Sequence, residues 1–155
     1  MMLEPMISDC LIRNYEPRDE DSVLLLIEKY ASWDATPTRA DIQGFYSSSS
    51  ELFFVAERES KVVGFVYGRE SKHLPNETLA RWKANKVASI ETLAVDEDYR
   101  RRGIGTSLLN KFFEVCRLNG IDLVTLSVPA EETEARRLYE KLSFEERAYF
   151  LRKRL

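Results

Sequence analysis

The sequence predicts an α/β (α+β) fold in a single domain, residues 1–155, with a mixed, mostly antiparallel sheet flanked by helices. A length of 155 residues suits one domain with one core. Apolar side chains switch along the chain between the two-residue period of strands and the 3.6-residue period of helices. The resulting order is β-α-α-β-β-β-α-β-α-β, with one strand or two at the end, which is typical of a mixed sheet covered by helices.

The first elements are a predicted strand and two predicted helices. Leu11 to Tyr15 has strand character, and Pro17 lies near the start of the first helix, where acidic residues suit the positive end of the helix dipole. Thr38 is a candidate N-cap for a second, short helix through Tyr46. The apolar stripes of these helices consist of Val23, Leu24, Ile27 and Tyr30 in the first and of Ile42 and Phe45 in the second.

A hairpin and a polar segment follow. LFFVAE and KVVGFVYGR have the pattern of two strands joined by a short polar turn, and the serines at 47–50 before them predict a loop. Residues 70–86 are polar and have no clear strand pattern, and we expect a short helix near Glu77 to Ala84.

The second half of the chain alternates strands and helices, and its helices have apolar residues at helical spacing. The predicted elements are a strand over Ser89 to Val95, a helix from Gly103 to Asn119-Gly120, the strand IDLVTLSV, a helix over Glu131 to Leu142, and one last strand or two in the tail FEERAYFLRKRL.

Composition disfavours several functional classes. The net charge is −3 at pH 7, and an acidic balance argues against general nucleic-acid binding. The two cysteines, Cys10 and Cys116, are too few for a disulfide framework, and no Cys/His cluster indicates a metal. No apolar run is long enough for a signal peptide or a transmembrane helix, so we expect a cytoplasmic protein without membrane or nucleic-acid partners.

The stretch RRRGIGTS, Arg100 to Ser107, places positive charge and glycine where a helix starts. It lacks the lysine of a P-loop and the third glycine of a Rossmann fingerprint. A turn into a helix N-terminus, with free N–H groups and no Cβ at the glycines, forms an anion site. The alternative is a turn shaped by glycine with solvated arginines, and the spacing alone leaves both interpretations open.

These residues resemble the GNAT superfamily of acyl-CoA N-acyltransferases. Arg100 to Gly105 fits the signature [Q/R]-x-x-G-x-[G/A]. IETLAVDEDYRRRGIGTSLLNKFF resembles the central strand, turn and helix of the family, and ARRLYEKLSF resembles its later helix. The resemblance covers Ser89 to Phe144 and is only topological over Leu11 to Arg69.

The resemblance implies an acetyl-CoA cosubstrate, and the lack of a Cys/His cluster predicts no metal. The coenzyme A pyrophosphate would lie on backbone N–H groups of the turn, with Arg100 at the first signature position. The turn residues implied are Arg101, Arg102, Gly103, Ile104, Gly105 and Thr106. The pantetheine arm would pair, like an added strand, with Leu93, Ala94 and Val95. A plain core strand is the alternative for these three.

The implied reaction transfers an acetyl group from the thioester to an amine. An amine must lose a proton before it attacks, and Glu91 is the candidate base, expected on one strand face with Leu93 and Val95 in apolar surroundings. An exposed glutamate at a strand start is the alternative. Tyr139 occupies the family's usual tyrosine and would stabilise the departing thiolate.

Two departures from the family pattern are Glu132, where many members have asparagine, and Ser143, where glycine is common. The acceptor candidates are Trp33, Asp34, Asp41, Tyr46 and the segment 70–86, and acidic groups there would suit a cationic amine. His73, the single histidine, is expected in a solvent-exposed loop. Two functions remain, an N-acetyltransferase acting on a small-molecule or protein amine, or a non-catalytic module that binds CoA. A homodimer is compatible with either.

Overall fold

The structure is a computed structural model that describes residues 10–31 and 34–155. Its helices and strands follow the predicted order as far as the last helix, with boundaries that differ by a few residues. They are β1 Leu11–Asn14, α1 Glu20–Tyr30, α2 Arg39–Ser49, β2 Phe53–Arg58, β3 Lys61–Glu70, α3 Asn76–Trp82, β4 Val87–Val95, α4 Ile104–Leu118, β5 Leu123–Thr125 and α5 Thr133–Lys141.

The strands form one sheet in the order β1-β2-β3-β4-β5. All neighbours are antiparallel except β4 and β5, which are parallel. The predicted mixed, mostly antiparallel sheet is therefore confirmed. A parallel pair requires a crossover connection, and α4 provides it between β4 and β5.

Each face of the sheet is covered by a different pair of helices. On β2, Phe53 and Val55 pack with residues of α1 and α2, whereas Phe54 and Ala56 pack with residues of α4. Leu138 and Tyr139 of α5 pack against the α4 side. The two-residue period of the strands thus divides the core into two clusters.

Strand β5 is shorter than predicted. The strand expected over IDLVTLSV spans only Leu123–Thr125, and its ladder with β4 has three pairs, from Val87↔Leu123 to Ser89↔Thr125. Beyond these pairs the two chains diverge, so the second half of β4 lacks a neighbour on the side of β5. Within the described ranges, no helix is long and apolar enough to cross a membrane.

A β-bulge lies in the middle of β4. Tyr67 pairs with Thr92 and Gly68 with Ile90, which leaves Glu91 as the extra residue. A bulge interrupts the alternation of side chains. Leu93 and Val95 pack towards α4, whereas Glu91 contacts Ser89 and Arg69, a pair on the opposite face. The expectation that Glu91 shares a face with Leu93 and Val95 is therefore wrong.

The tail also differs from the expectation. Residues 145–155 form no helix or strand in the structure, so the predicted last strand is not formed in the isolated chain. A strand needs a partner edge to satisfy its backbone groups, and the tail does not pair with any strand of its own sheet in the described part of the chain.

Gly68 allows α4 to approach the bulge, and this predicts a stability effect. A Cβ at Gly68 would lie 2.5 Å from Cζ of Phe112, a fully buried ring. Gly68→Ala should lower the free energy of unfolding by about 1–3 kcal/mol through overpacking. Gly44 lies in α2 with nothing within 4 Å of an added Cβ, so Gly44→Ala should raise it by about 0.5–1 kcal/mol. Urea unfolding measures both free energies of unfolding. A Gly68→Ala protein as stable as the wild type would contradict the packing assignment.

Candidate functional site

The candidate site is a cleft where β4 and β5 diverge. Its volume is about 230 Å³. Ile90 to Leu93 of β4 form one wall, residues 126–129 the opposite wall, and the cleft extends to α5 and to the α1–α2 connection. A polypeptide-like group could lie between these walls and pair with the open edge of β4, because a β-edge has free N–H and C=O groups.

The turn between β4 and α4 lies beside this cleft and presents free backbone N–H groups. Arg101 and Gly103 have positive φ values of 63° and 79°. In the described part of the chain, the N–H groups from Arg101 to Thr106 donate to no protein acceptor, and the regular α4 bonds begin with Ser107 N–H to the Gly103 carbonyl. Successive free N–H groups at a helix N-terminus form a nest for an anion.

The Arg100 side chain holds the turn in place instead of pointing freely into solvent. Its Nε donates to the Val95 carbonyl at 2.9 Å, and its guanidinium lies 4.7 Å from the ring centroid of Tyr30. Nη1 is also 3.8 Å from Glu134 of α5. Arg100 therefore connects the end of β4, α1 and α5 at the entrance of the turn.

The other two arginines have different surroundings. The Arg101 side chain is 88% exposed and only 4.0 Å from Glu134. The Arg102 guanidinium lies 5.5 Å from the Tyr99 ring centroid, and the Lys61 ammonium is equally close to that ring. Their side chains surround the nest with positive charge, while their backbone N–H groups belong to it.

Tyr30 is a site residue that the sequence interpretation missed. Its hydroxyl accepts a hydrogen bond from the Glu97 N–H at 3.2 Å, its ring faces Arg100, and it also lines the cleft. The sequence placed it only in the apolar stripe of α1. Its position in the last turn of that helix, next to a polar connection, was the available signal.

Glu91 lines the cleft from the bulge in β4. Ser89 Oγ donates to Glu91 Oε2 at 2.6 Å, and Arg69 Nη2 is 3.9 Å from Oε1. Its side chain is 35% exposed, so the predicted apolar surroundings are wrong. The bulge turns the carboxylate towards polar neighbours while keeping it in contact with the cleft.

Tyr139 faces the cleft from α5 and is half-buried. Its ring packs edge-on against Phe144 at a centroid distance of 5.6 Å. Burial, with the nearby charge of Glu132, raises the pKa of Tyr139 to about 12. The phenol is therefore neutral at physiological pH, and its hydroxyl has no hydrogen-bond partner among the described residues, which leaves it free to donate to a bound group.

Three carboxylates line the cleft, Asp34, Glu91 and Glu132, and no lysine or arginine is among the described residues that line it. Negative charge concentrated in one cleft attracts cations. Among the described residues, Asp34 is the one predicted acceptor candidate that lies there. Trp33 falls outside the described residues.

The other acceptor candidates lie elsewhere. The Asp41 carboxylate accepts the Thr38 N–H at 2.7 Å and so caps α2, which lowers its pKa. Tyr46 packs against Tyr15 at a centroid distance of 5.5 Å. The segment 70–86, which contains α3 and the exposed His73, contributes no residue to the described lining of the cleft.

Comparisons with known proteins agree with this geometry. Residues 19–144 match the acetyltransferase (GNAT) family. An uncharacterised N-acetyltransferase of Methanocaldococcus jannaschii is 32% identical over 149 residues, which are 92% of this chain and 63% of that protein. An N-alpha-acetyltransferase of Sulfurisphaera tokodaii is 37% identical over 101 residues, 61% of this chain and 56% of that protein. The chain thus spans less than two thirds of the length of both relatives.

A solved structure is similar over most of its length. The crystal structure of Ard1 from Thermoplasma volcanium has a TM-score of 0.77 with this chain at 30% sequence identity, covering 90% of this chain and 85% of that one.

Proposed function

The chain belongs to the GNAT family of acetyltransferases, and on this premise we propose that it transfers an acetyl group from acetyl-CoA to a cationic primary amine in a direct ternary complex. The observation that carries the proposal is the nest of free N–H groups from Arg101 to Thr106 beside a cleft between diverging strands. An anion site and an open strand edge side by side are what a pyrophosphate followed by an amide-containing arm requires.

The donor would occupy both features. The pyrophosphate accepts from the N–H groups of Arg101 to Thr106, and Gly103 supplies the left-handed backbone that aims them at one point. The amides of the pantetheine arm pair with the edge of β4 at Leu93 to Val95. The Val95 carbonyl already accepts a hydrogen bond from Arg100. Pairing at Val95 would therefore use its backbone N–H. The thioester then lies between Glu91 and Tyr139, which both line the cleft.

The reaction would proceed by direct attack. The acceptor ammonium first loses a proton to Glu91, directly or through water, because only the neutral amine has a free lone pair. Its nitrogen attacks the thioester carbonyl carbon, the C–N bond forms and the C–S bond breaks, and the nitrogen gives up its second proton. The CoA sulfur leaves as a thiolate and takes up a proton.

Tyr139 would support the leaving group. With a pKa of about 12 the phenol stays protonated and donates a hydrogen bond to the developing thiolate. Full transfer of its proton to a thiolate is uphill, since thiol pKa values are about 8.5. Its contribution is therefore electrostatic stabilisation of the transition state, and the proton on the sulfur can come from the attacking nitrogen.

The acceptor is inferred from charge. Asp34, Glu91 and Glu132 line the cleft, and no lysine or arginine is among its described lining residues. A second positive charge on the acceptor could interact with whichever carboxylates do not take its proton. Several expectations remain predictions. They are the single domain over residues 1–155, the absence of a metal, the cytoplasmic location, the homodimer and the lack of nucleic-acid and membrane partners.

Gly103→Glu should abolish acetyl-CoA binding, because it adds a side chain and a negative charge where the pyrophosphate lies and disfavours the positive φ. We expect an affinity loss of at least about 100-fold by calorimetry. Gly120→Glu is the matched control, since Gly120 has a similar φ of 76° with nothing within 4 Å of an added Cβ. Unchanged affinity in a folded Gly103→Glu protein would refute the pyrophosphate site.

Tyr139→Phe should lower kcat by about 10- to 150-fold, because a hydrogen bond to a charged group contributes about 1.5–3 kcal/mol, with acetyl-CoA affinity largely unchanged. Thiol release with saturating amine measures turnover. Equal turnover in the two proteins would remove Tyr139 from the chemistry.

A wild-type protein that binds CoA and releases no thiol with any amine would instead favour the non-catalytic module.

Glu132→Gln should raise KM for a diamine by about five- to thirty-fold and change KM for a monoamine of equal length much less, because one cleft carboxylate is lost. Glu131→Gln is the control, since Glu131 is exposed and outside the described lining. Equal effects on diamine and monoamine would contradict a cationic preference.

A further inference from the structure

Ser89 contacts the candidate base from a position two residues earlier in β4. Its Oγ lies 2.6 Å from Oε2 of Glu91. An ionised carboxylate has no proton to give, so the hydroxyl donates and the carboxylate accepts. Hydrogen bonds of this length between a hydroxyl and a charged oxygen are stronger than those between neutral groups. Ser89 is not among the described residues that line the cleft, so it can influence the chemistry only through Glu91.

The β-bulge explains why Glu91 needs a neighbour of this kind. Glu91 is the extra residue of the bulge and has no partner on β3. Such a residue is released from the strand ladder, so the ladder does not fix the direction of its side chain. Residues two apart on a strand share a face, and Ser89 precedes the extra residue by two. The two side chains therefore lie together on one face of β4.

Ser89 is held more firmly than the glutamate that it contacts. Its backbone is in register with Arg69 of β3 on one side and with Thr125 of β5 on the other. The pair with Thr125 is the last one before the two strands diverge. One torsion places the hydroxyl oxygen of serine, whereas three torsions place the carboxylate oxygens of glutamate. The hydrogen bond therefore ties a flexible acceptor to a fixed donor.

Ser89 occupies only one of the two carboxylate oxygens. Within the described residues, Oε1 of Glu91 has only the contact with Arg69 Nη2 at 3.9 Å. The Arg69 side chain is 59% exposed, and exposed ion pairs contribute little to holding a side chain in place. Oε1 is therefore the oxygen that remains open to a proton from a molecule in the cleft.

We infer that Ser89 is a positioning residue for acetyl transfer, because its hydroxyl holds Glu91 in the rotamer in which Oε1 faces the acceptor amine. This role rests on the proposed function, in which Glu91 takes a proton from the acceptor ammonium. The proton moves from the acceptor nitrogen to Oε1. The Ser89 hydroxyl keeps its own proton and remains bound to Oε2 throughout.

The size of the effect follows from the freedom of the glutamate side chain. Its first two torsions each have three staggered wells, which together give about nine rotamers. Without the hydroxyl of Ser89, the productive rotamer could fall to about one ninth of the molecules. We therefore expect a rate loss of about 3- to 10-fold. Loss of the base itself should cost at least about 100-fold.

The first test compares single-turnover rates of thiol release, with the protein in excess over acetyl-CoA and with saturating amine. Ser89→Ala should lower the rate about 3- to 10-fold and leave the acetyl-CoA affinity, measured by calorimetry, unchanged. Ser89→Thr keeps the hydroxyl and suits a strand, so its rate should return to within about twofold of the wild type. Thr125→Val is the matched control. It removes the hydroxyl from the other residue of the same ladder pair, which has no hydrogen bond to Glu91 in the described structure, and should keep the wild-type rate.

The second test is a double-mutant cycle, which separates action through Glu91 from any other role of Ser89. In a Glu91→Gln chain, Ser89→Ala should change the rate less than about twofold, because the base is already lost. A wild-type rate in Ser89→Ala, no recovery in Ser89→Thr, or an equal loss in both backgrounds would each overturn the positioning role.

Failure of the proposed function has a different signature. A wild type that releases no thiol with any amine would refute acetyl transfer, and a Glu91→Gln protein with the wild-type rate would refute Glu91 as the base. Either result would also remove the role of Ser89. In contrast, a slow Glu91→Gln protein with an unaffected Ser89→Ala protein would leave the proposed function intact and overturn the positioning role alone.

Discussion

The candidate site depends on the short parallel ladder between β4 and β5. Three residue pairs hold the two strands together at one end. The chains diverge beyond Ser89 and Thr125, and the cleft opens there. A longer ladder would close the cleft. Without the ladder, the cleft would have only the wall that β4 forms. The crossover through α4 makes the pair parallel and places the nest at the end of β4 that has no neighbour on the side of β5.

Arg100 links this strand geometry to the anion site. Its guanidinium bonds the end of β4, lies on the ring of Tyr30 and approaches Glu134. Tyr30 in turn accepts from the Glu97 N–H. The turn is therefore supported from both faces of the sheet, by α1 and by α5. A nest held in this way needs little reorganisation to accept an anion, which favours binding.

Charge is divided between the two ends of the site. The arginines of the turn carry positive charge at the nest, and three carboxylates line the cleft. This division is what the proposed anionic donor and cationic acceptor would require, in a chain with a net charge of −3.

The sequence by itself determined the order of elements through α5, the turn that presents free N–H groups, and the presence of Tyr139 on a helix near it. These features depend on local spacing and on glycine, which act within a few residues. Only the tertiary structure decided the bulge at Glu91, the role of Tyr30, the arrival of Asp34 at the cleft and the absence of a last strand in the isolated chain. Gly68, a glycine within a strand, was a signal of the bulge, but the Phe112 ring that leaves no room for a Cβ there belongs to a helix distant in the chain. Strand pairing and the packing of helices on a sheet bring together residues that are far apart in the chain. Local sequence patterns do not indicate which strand edge a segment will pair with.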